Sequence, residues 1–317
     1  MSVSSASGLR DLKLSAPLKG ALYMTAAAFA FSIMNYLVRL AGQELNPIEV
    51  AFFRNLFALL FMLPWLLRVG RAGLATRRFG VHVWRALVGM GAMFCWFYSV
   101  TVMPLAEAVS LNFTVPLFAT AGAALVLGEV VRARRWTATV VGFLGVLVIL
   151  RPGFTEVTWV MGLPILAAAF MAAATLFVKS LSETESPNTI VLYMNLLLTP
   201  LSLLPALFVW RWPSAETFAY MALLGMLAAA AHIALTRAYA VADASAILPL
   251  DYTRLPFVAA IAYFAFGEVP DLWTWVGAGI IAGSALYIAH REIRIARSRG
   301  DAQGVTRRAA SQTPHGS

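Results

Sequence analysis

Six polar or charged residues, Arg54, Asn112, Thr114, Asp251, Tyr252 and Arg254, fall in the middle of apolar runs long enough to cross a bilayer. Lipid offers them no hydrogen-bond partner, so they are expected to face a cavity or one another. The chemistry open to such a set is recognition. A guanidinium grips an anionic group through two parallel hydrogen bonds, amides and hydroxyls satisfy a polar solute, and a carboxylate exchanges a proton. Five of the six lie in two matching stretches, Leu111-Asn112-Phe113-Thr114-Val115-Pro116 and Leu250-Asp251-Tyr252-Thr253-Arg254-Leu255-Pro256. They align once one residue is inserted before the second proline. Pro116 and Pro256 each remove a backbone hydrogen bond and free a carbonyl one turn earlier. Kinks lined by polar groups are therefore expected there, with Thr114, Thr253, water or solute as the carbonyls' partners.

Arg54 lies seven residues into its run, about 10 Å from the helix end at 1.5 Å per residue. Its expected role is to hold an anionic group such as a carboxylate; snorkelling back to the interface is the alternative. Asp251 and Arg254, three apart, share a helix face and can pair. Either they form a fixed ion pair that sets helix packing, or the pair opens to bind a zwitterion or exchange a proton. Among the aromatics Phe94, Trp96, Phe97 and Tyr98, consecutive residues cannot share a face, and Trp96 is assigned to the cavity. Asn35, Tyr193 and Asn195 are expected as further hydrogen-bonding wall residues. His232 is a candidate proton relay because imidazole titrates near neutral pH, against the alternative of a packed core histidine. Glu129 and Glu268, at helix ends, are read as structural.

The elements that must position these residues are membrane helices. Hydrophobic residues make up 60% of the 317 and charged residues 12%, against about a quarter charged in soluble domains. Ten stretches approach the roughly 20 apolar residues a crossing needs. They run Lys19–Leu40, Pro47–Leu67, Gly80–Val102, Pro104–Leu127, Arg135–Leu150, Val160–Ser180, Pro187–Trp210, Ala215–Tyr239, Ala244–Phe266 and Leu272–Ala289. The net charge of +9 does not indicate nucleic acid, because the basic residues collect in short loops and the tail. With the N-terminus inside, 19 Lys and Arg, Arg85 among them, fall on the inner side; Arg39, Arg151 and Arg211 fall outside. Both termini are thus expected in the cytoplasm of a bacterial-type inner membrane. The single cysteine, Cys95, excludes an intrachain disulfide, and neither a metal-ligand spacing nor a cofactor motif is visible.

The chain also repeats itself. Val38-Arg39 before Pro47 corresponds to Val178-Lys179 before Pro187, Phe53 and Asn55 to Tyr193 and Asn195, and Leu127-Gly128-Glu129 to Phe266-Gly267-Glu268. Five helices per unit is an odd number, so the second unit enters the membrane upside down. The expected fold is all-α integral membrane, ten transmembrane helices as two inverted five-helix repeats, 19–151 and 159–290. A cytoplasmic segment 1–18 precedes them and a basic disordered tail 291–317 follows. Inverted repeats of this kind place a solute site near the midplane between them.

These residues resemble the drug/metabolite transporter superfamily in its EamA-type branch. The resemblance is carried by Gly128-Glu129 and Gly267-Glu268, Pro116 and Pro256, Phe52-Phe53-Arg54-Asn55 and Arg151-Pro152-Gly153. It implies transport of a small organic metabolite without ATP hydrolysis, with helices one to four and six to nine around a cavity and the fifth and tenth outside. Branch members move amino acids, S-adenosylmethionine, riboflavin and metallophores. One departure is that Met194 stands where the first repeat has Arg54. The expected function is alternating-access transport of an amino acid-like or nucleoside-like solute, with proton coupling open through Asp251, His232 or Glu107. A membrane scaffold or an enzyme on lipid-linked substrates is the alternative. The expected partners are the solute and the bilayer. Ala138-xxx-Gly142 and Gly279-xxx-Gly283 permit close contact of helices five and ten, within one chain or across a homodimer.

Overall fold

The computed structural model describes residues 16–126, 133–151, 158–182, 184–241, 250–284 and 286–287. The segments 1–15, 127–132, 152–157, 242–249 and 288–317, and with them Glu129, Pro249 and the arginine-rich tail, lie outside the described residues, as do residues 183 and 285. The helices are α1 (Ala16–Ala41), α2 (Pro47–Val69), α3 (Phe79–Val102), α4 (Leu105–Asn112), α5 (Val115–Val126), α6 (Ala133–Leu150), α7 (Gly162–Ser182), α8 (Pro187–Ala206), α9 (Ala215–Val241) and α10 (Arg254–Phe266). A last helix, α11, spans Leu272–Ser284. No strand occurs among the described residues. Six helices are long and apolar enough to cross a membrane, and four shorter apolar helices complete ten passes. The fold is all-α, with two inverted five-helix repeats.

Local signals set the helix starts. Asn46 caps α2, its side chain accepting from the Ile48 N–H while Glu49 reaches back to the Asn46 N–H. Ser186, 140 residues later, caps α8 through the Thr189 N–H. Each helix then opens on a proline, which loses nothing there because the first turn has no intrahelical partner.

Two boundaries depart from expectation. The fourth and ninth stretches are interrupted: a turn at Phe113–Thr114 separates α4 from α5, and a turn at Tyr252–Thr253 precedes α10. The interruptions fall at matching points of the two repeats. Thr114 Oγ1 donates to the Leu111 carbonyl at 2.7 Å and Thr253 Oγ1 to the Leu250 carbonyl at 2.5 Å. Both hydroxyls thus serve the carbonyl three residues back rather than the one each proline frees. The seventh stretch ends at Ala206, short of Trp210, after Pro200 and Pro205 have each removed a ladder bond. Trp210 folds back instead onto Phe52 and Phe53, with ring centroids 5.7 and 5.5 Å away.

The repeats interleave. α1 packs on α9, α2 on α8 and α9, and α3 on α7 and α8. Without a hydrophobic drive between helices in lipid, close backbone approach does the work. A Cβ on Gly225 of α9 would stand 2.4 Å from Phe57 Cβ and 2.7 Å from the Ala58 nitrogen. Outside this bundle, Gly145 of α6 and Gly277 of α11 bring each helix against the other's backbone carbonyl. The contact between the fifth and tenth passes is therefore internal to the chain. Gly279 and Gly283 meet nothing within 4 Å and take no part in it. Arg151, closing α6, pairs with Asp271, whose carboxylate also caps α11 through the Thr274 N–H and hydroxyl.

Replacing Gly225 by Val should lower the unfolding midpoint and the monodisperse yield in detergent, since overpacking typically costs about 1–3 kcal/mol. At Asp271, partial burial works to raise the carboxyl, but Thr274 and the Arg151 charge outweigh it and hold the group below its ordinary value. A depressed carboxyl stabilises the fold above its unfolded value and loses that contribution as pH falls through the folded one. Asp271→Asn should thus lower the midpoint at pH 7, by under about 1 kcal/mol for a partly exposed pair. Its difference from wild type should shrink below about pH 4 in a scanning-fluorimetry series.

Candidate solute site

The centre of the molecule is built on Arg54. It is 3% exposed and does not reach back to the interface. Its Nη1 donates to Asn55 Oδ1 at 2.8 Å and to Asn195 Oδ1 at 3.1 Å. Asn55 and Asn195 are the corresponding residues of the two repeats, so the guanidinium is held between α2 and α8 at the seam. The amides are themselves anchored: Asn195 Nδ2 donates to the Val191 carbonyl at 2.9 Å, and Asn55 Nδ2 donates to Ser202 Oγ at 3.4 Å.

A second arginine joins it. The charge distribution along the chain puts Arg85 on the inner side. It lies instead six residues into α3, 9% exposed, with its Nη2 donating to Met194 Sδ at 3.0 Å. Arg54 and Arg85 enter from opposite ends of the membrane and reach adjacent residues of α8, Asn195 and Met194. Among the described residues neither has a carboxylate partner, and the Nε of each is buried without a hydrogen bond. The sequence signal for Arg85 was its depth inside a continuous apolar run, which a count of topological charges ignores.

Aromatic and polar groups continue toward the helix interruptions. Trp96 Nε1 donates to Asn35 Oδ1 at 3.2 Å, joining α3 to α1. Phe113 and Tyr252, one at each interruption, meet edge to face at 4.8 Å. Asp251 and Arg254 form an ion pair at 2.6 Å, and the guanidinium sits 4.8 Å over the Phe31 ring. His232 packs edge-on to Phe31 at 5.2 Å; its Nδ1–H donates to the Ala228 carbonyl at 2.9 Å, leaving Nε2 as an acceptor. His232 also lies within electrostatic range of Arg54, Arg85 and Arg254. Asn112 is buried from α4 and its amide points to the Pro164 carbonyl at 3.4 Å.

Tyr193 is not part of this group. Its hydroxyl donates to the Leu74 carbonyl at 2.7 Å and its ring stacks on His82 at 4.5 Å, at the end of the bundle where α1 starts. That end is tied across the repeats: Glu185 accepts from Thr76 and pairs with His82 at 2.6 Å, while Arg78 donates to Ser180 Oγ at 2.6 Å. The opposite end is tied as well. Arg39 pairs with Glu268 at 2.5 Å and donates to the Met103 carbonyl at 3.0 Å, and Glu268 accepts from the Leu105 N–H at 3.0 Å. Glu268 is thus the structural group expected of it. Glu44 nearby accepts from Thr217 and Ser214, and those hydrogen bonds hold its carboxyl below the ordinary value. A cleft of about 660 Å³ opens beside this end, between Glu44, Glu49, Trp210 and Arg211. The Arg54 group itself is closed over.

These features coincide with a known pattern. The EamA-like transporter family matches residues 18–151 and, a second time, 158–289. The chain belongs to the EamA-like transporter family. This EamA-like protein is 37% identical over 286 residues to a riboflavin transporter of Vibrio cholerae serotype O1, covering 89% of the chain and 96% of that relative. It is 32% identical over 286 residues to an S-adenosylmethionine uptake transporter of Rickettsia prowazekii, covering 90% and 97%. A pseudopaline exporter of Pseudomonas aeruginosa is 30% identical over 278 residues, covering 85% and 95%. A solved crystal structure of 16% identity superposes with a TM-score of 0.61 over 86% of this chain and 98% of the other, which shows a shared fold. The protein is accordingly a multi-pass bacterial membrane protein and a secondary transporter of a small metabolite.

Asn195→Asp tests the electrostatics of the group. A carboxylate beside the buried Arg54 should raise the unfolding midpoint in detergent by neutralising an unpaired charge. It should also lower flux in vesicles, because the guanidinium would then be occupied within the protein.

Proposed function

We propose that the transported solute is a flavin-class metabolite, riboflavin or a close analogue, carried by alternating access about the Arg54 group. The observation that carries this is the guanidinium held between Asn55 and Asn195, equivalent residues of two inverted repeats, at mid-membrane. A site on the seam is the one place that rocking of the repeats exposes first to one side and then to the other. Trp96, Phe31, Phe113 and Tyr252, all in or against the main apolar core, supply flat surfaces suited to stacking an uncharged ring. Three relatives at 33–37% identity are named riboflavin transporters, which supports the same class.

S-adenosylmethionine is the second reading, favoured by relatives at 32% identity. Its sulfonium cation is ill matched to two arginines that have no carboxylate partner among the described residues, and the interior carboxylate of Asp251 is paired with Arg254. In the transport cycle the two end networks open in turn. Arg39 and Glu268 hold one end, and His82 and Glu185 hold the other. Asn35, Asn112, Trp96 and Tyr252 line the path, while Asp251 and His232 remain the groups for any proton exchange. The distribution of Lys and Arg supports an inner-membrane location with both termini cytoplasmic.

Proteoliposomes containing the purified chain should take up riboflavin, followed by its fluorescence. Excess unlabelled flavin analogue should compete and S-adenosylmethionine should not. Arg54→Gln should reduce the rate about tenfold or more with the unfolding midpoint retained. Uptake of S-adenosylmethionine without riboflavin would replace the first reading by the second. For topology, Ser311→Cys in a Cys95→Ser background should react with an impermeant maleimide only after cells are opened. Labelling of intact spheroplasts would reverse the orientation.

A further inference from the structure

The two buried guanidiniums are an incomplete constellation. Each carries five N–H donors, yet among the described residues those of Arg54 reach only the Asn55 and Asn195 oxygens, and Arg85 has only the weak sulfur acceptor of Met194. Neither Nε has a hydrogen-bond partner. A charged group left this way inside a membrane protein is expensive, and such a group is retained where a ligand or conformational partner completes it. The placement follows the internal symmetry. Met194 occupies the position in α8 that Arg54 occupies in α2, so the second repeat has no arginine at the equivalent place. Arg85 reaches over from α3 and rests its guanidinium on that methionine sulfur. A cation is thereby supplied on both sides of the seam, by a residue that is not the repeat equivalent of Arg54.

Two arginine forks with free donors suit a solute edge rich in paired acceptors, as an Arg fork suits the O6 and N7 atoms of guanine. The dioxopyrimidine edge of a flavin offers two such pairs, the C2 carbonyl with N1 and the C4 carbonyl with N5; the N3–H between the carbonyls donates, and none of these atoms carries positive charge. We propose that Arg54 and Arg85 together form the binding site for the dioxopyrimidine edge of the solute, with Arg85 as the specificity-determining residue that favours electron-rich or anionic heterocycles over cations. This rests on the flavin reading above for the solute, but the site is defined more broadly by the edge it grips. Asn55 and Asn195 hold Arg54 in place, and Met194 positions Arg85 while contributing a polarisable, uncharged surface.

The test uses the purified full-length chain in nanodiscs and three probes: riboflavin, orotate and S-adenosylmethionine. Orotate is an anionic dioxopyrimidine without the flavin ring, whose acceptors are its two carbonyl oxygens and its carboxylate. Binding is measured by fluorescence quenching for riboflavin and by calorimetry for the others, on wild type, Arg85→Gln, Arg85→Leu and Arg54→Gln. The unfolding midpoint of each empty variant is recorded alongside. Riboflavin is expected to bind and to weaken about tenfold or more in both Gln variants. The empty Arg85→Leu protein should unfold no lower than wild type, because it loses an unsatisfied buried charge. If orotate binds in an Arg85-dependent way and riboflavin does not bind, the site stands and the flavin reading falls. Riboflavin binding that is unchanged in Arg85→Gln overturns the site while leaving the flavin reading intact. The proposal is also overturned if S-adenosylmethionine binds better than either dioxopyrimidine, if neither dioxopyrimidine binds wild type, or if empty Arg85→Leu unfolds well below wild type with riboflavin affinity unchanged.

Discussion

A guanidinium inside a bilayer must be surrounded by acceptors, and the rest of this structure follows from how Arg54 meets that demand. Its acceptors are two amides related by the internal duplication, Asn55 and Asn195. Their presence requires α2 and α8 to lie side by side at mid-membrane, in opposite directions, with backbones close enough for short side chains to meet. The caps at Asn46 and Ser186 start the two helices at equivalent depths and so bring these amides level. Gly225 lets α9 close against the other side of α2. An apolar core would have asked much less of the chain, since hydrocarbon against hydrocarbon specifies little register in lipid.

Around that centre, polar groups are used sparingly and in layers. Each end of the bundle is tied by a carboxylate that bridges the repeats, Glu268 at one end and Glu185 at the other. Between them the interruptions at Phe113–Thr114 and Tyr252–Thr253 bring irregular backbone to the interior, with the threonine hydroxyls satisfying the exposed carbonyls. Irregular backbone is tolerated at membrane depth where protein or a water-filled cavity covers it. The aromatic contact between Phe113 and Tyr252 covers both interruptions with a surface that is easily parted, because it carries no hydrogen bond between the rings. Such a centre serves a machine that must open at either end without losing its seam.

Much of this was legible in the residues. Apolar run lengths marked the ten passes, and matching stretches 139 or 140 residues apart showed the duplication, from which inversion follows by counting five helices per unit. Pro116 and Pro256 pointed to the interruptions, although the turns fall two and three residues before the prolines and not at them. The proline's steric demand is on the preceding turn, and the threonine hydroxyl chooses which carbonyl is served. Arg54 is expected to hold an anion, Trp96 to face the cavity, and Asn35 and Asn195 to line its wall; the structure buries all four and pairs Arg54 with Asn195 and Trp96 with Asn35. Tyr193 was drawn away by the Leu74 carbonyl and His82, partners that no pattern in its own helix announces.

By itself the sequence determined the class of fold, the number of passes and the pairing of residues across the repeat. These depend on hydrophobicity along the chain and on self-similarity, both local or one-dimensional properties. Only the tertiary structure decided which polar residues share a site. Arg85 reads as a loop charge until α3 is laid against α8, when it stands on Met194, the neighbour in α8 of the Asn195 that holds Arg54. Asp251 and Arg254 read as open alternatives until the guanidinium is seen closed on its own carboxylate and over Phe31. The reason is physical: an apolar sequence states that a helix lies in the bilayer, whereas the direction each polar side chain takes is set by the neighbour that satisfies it.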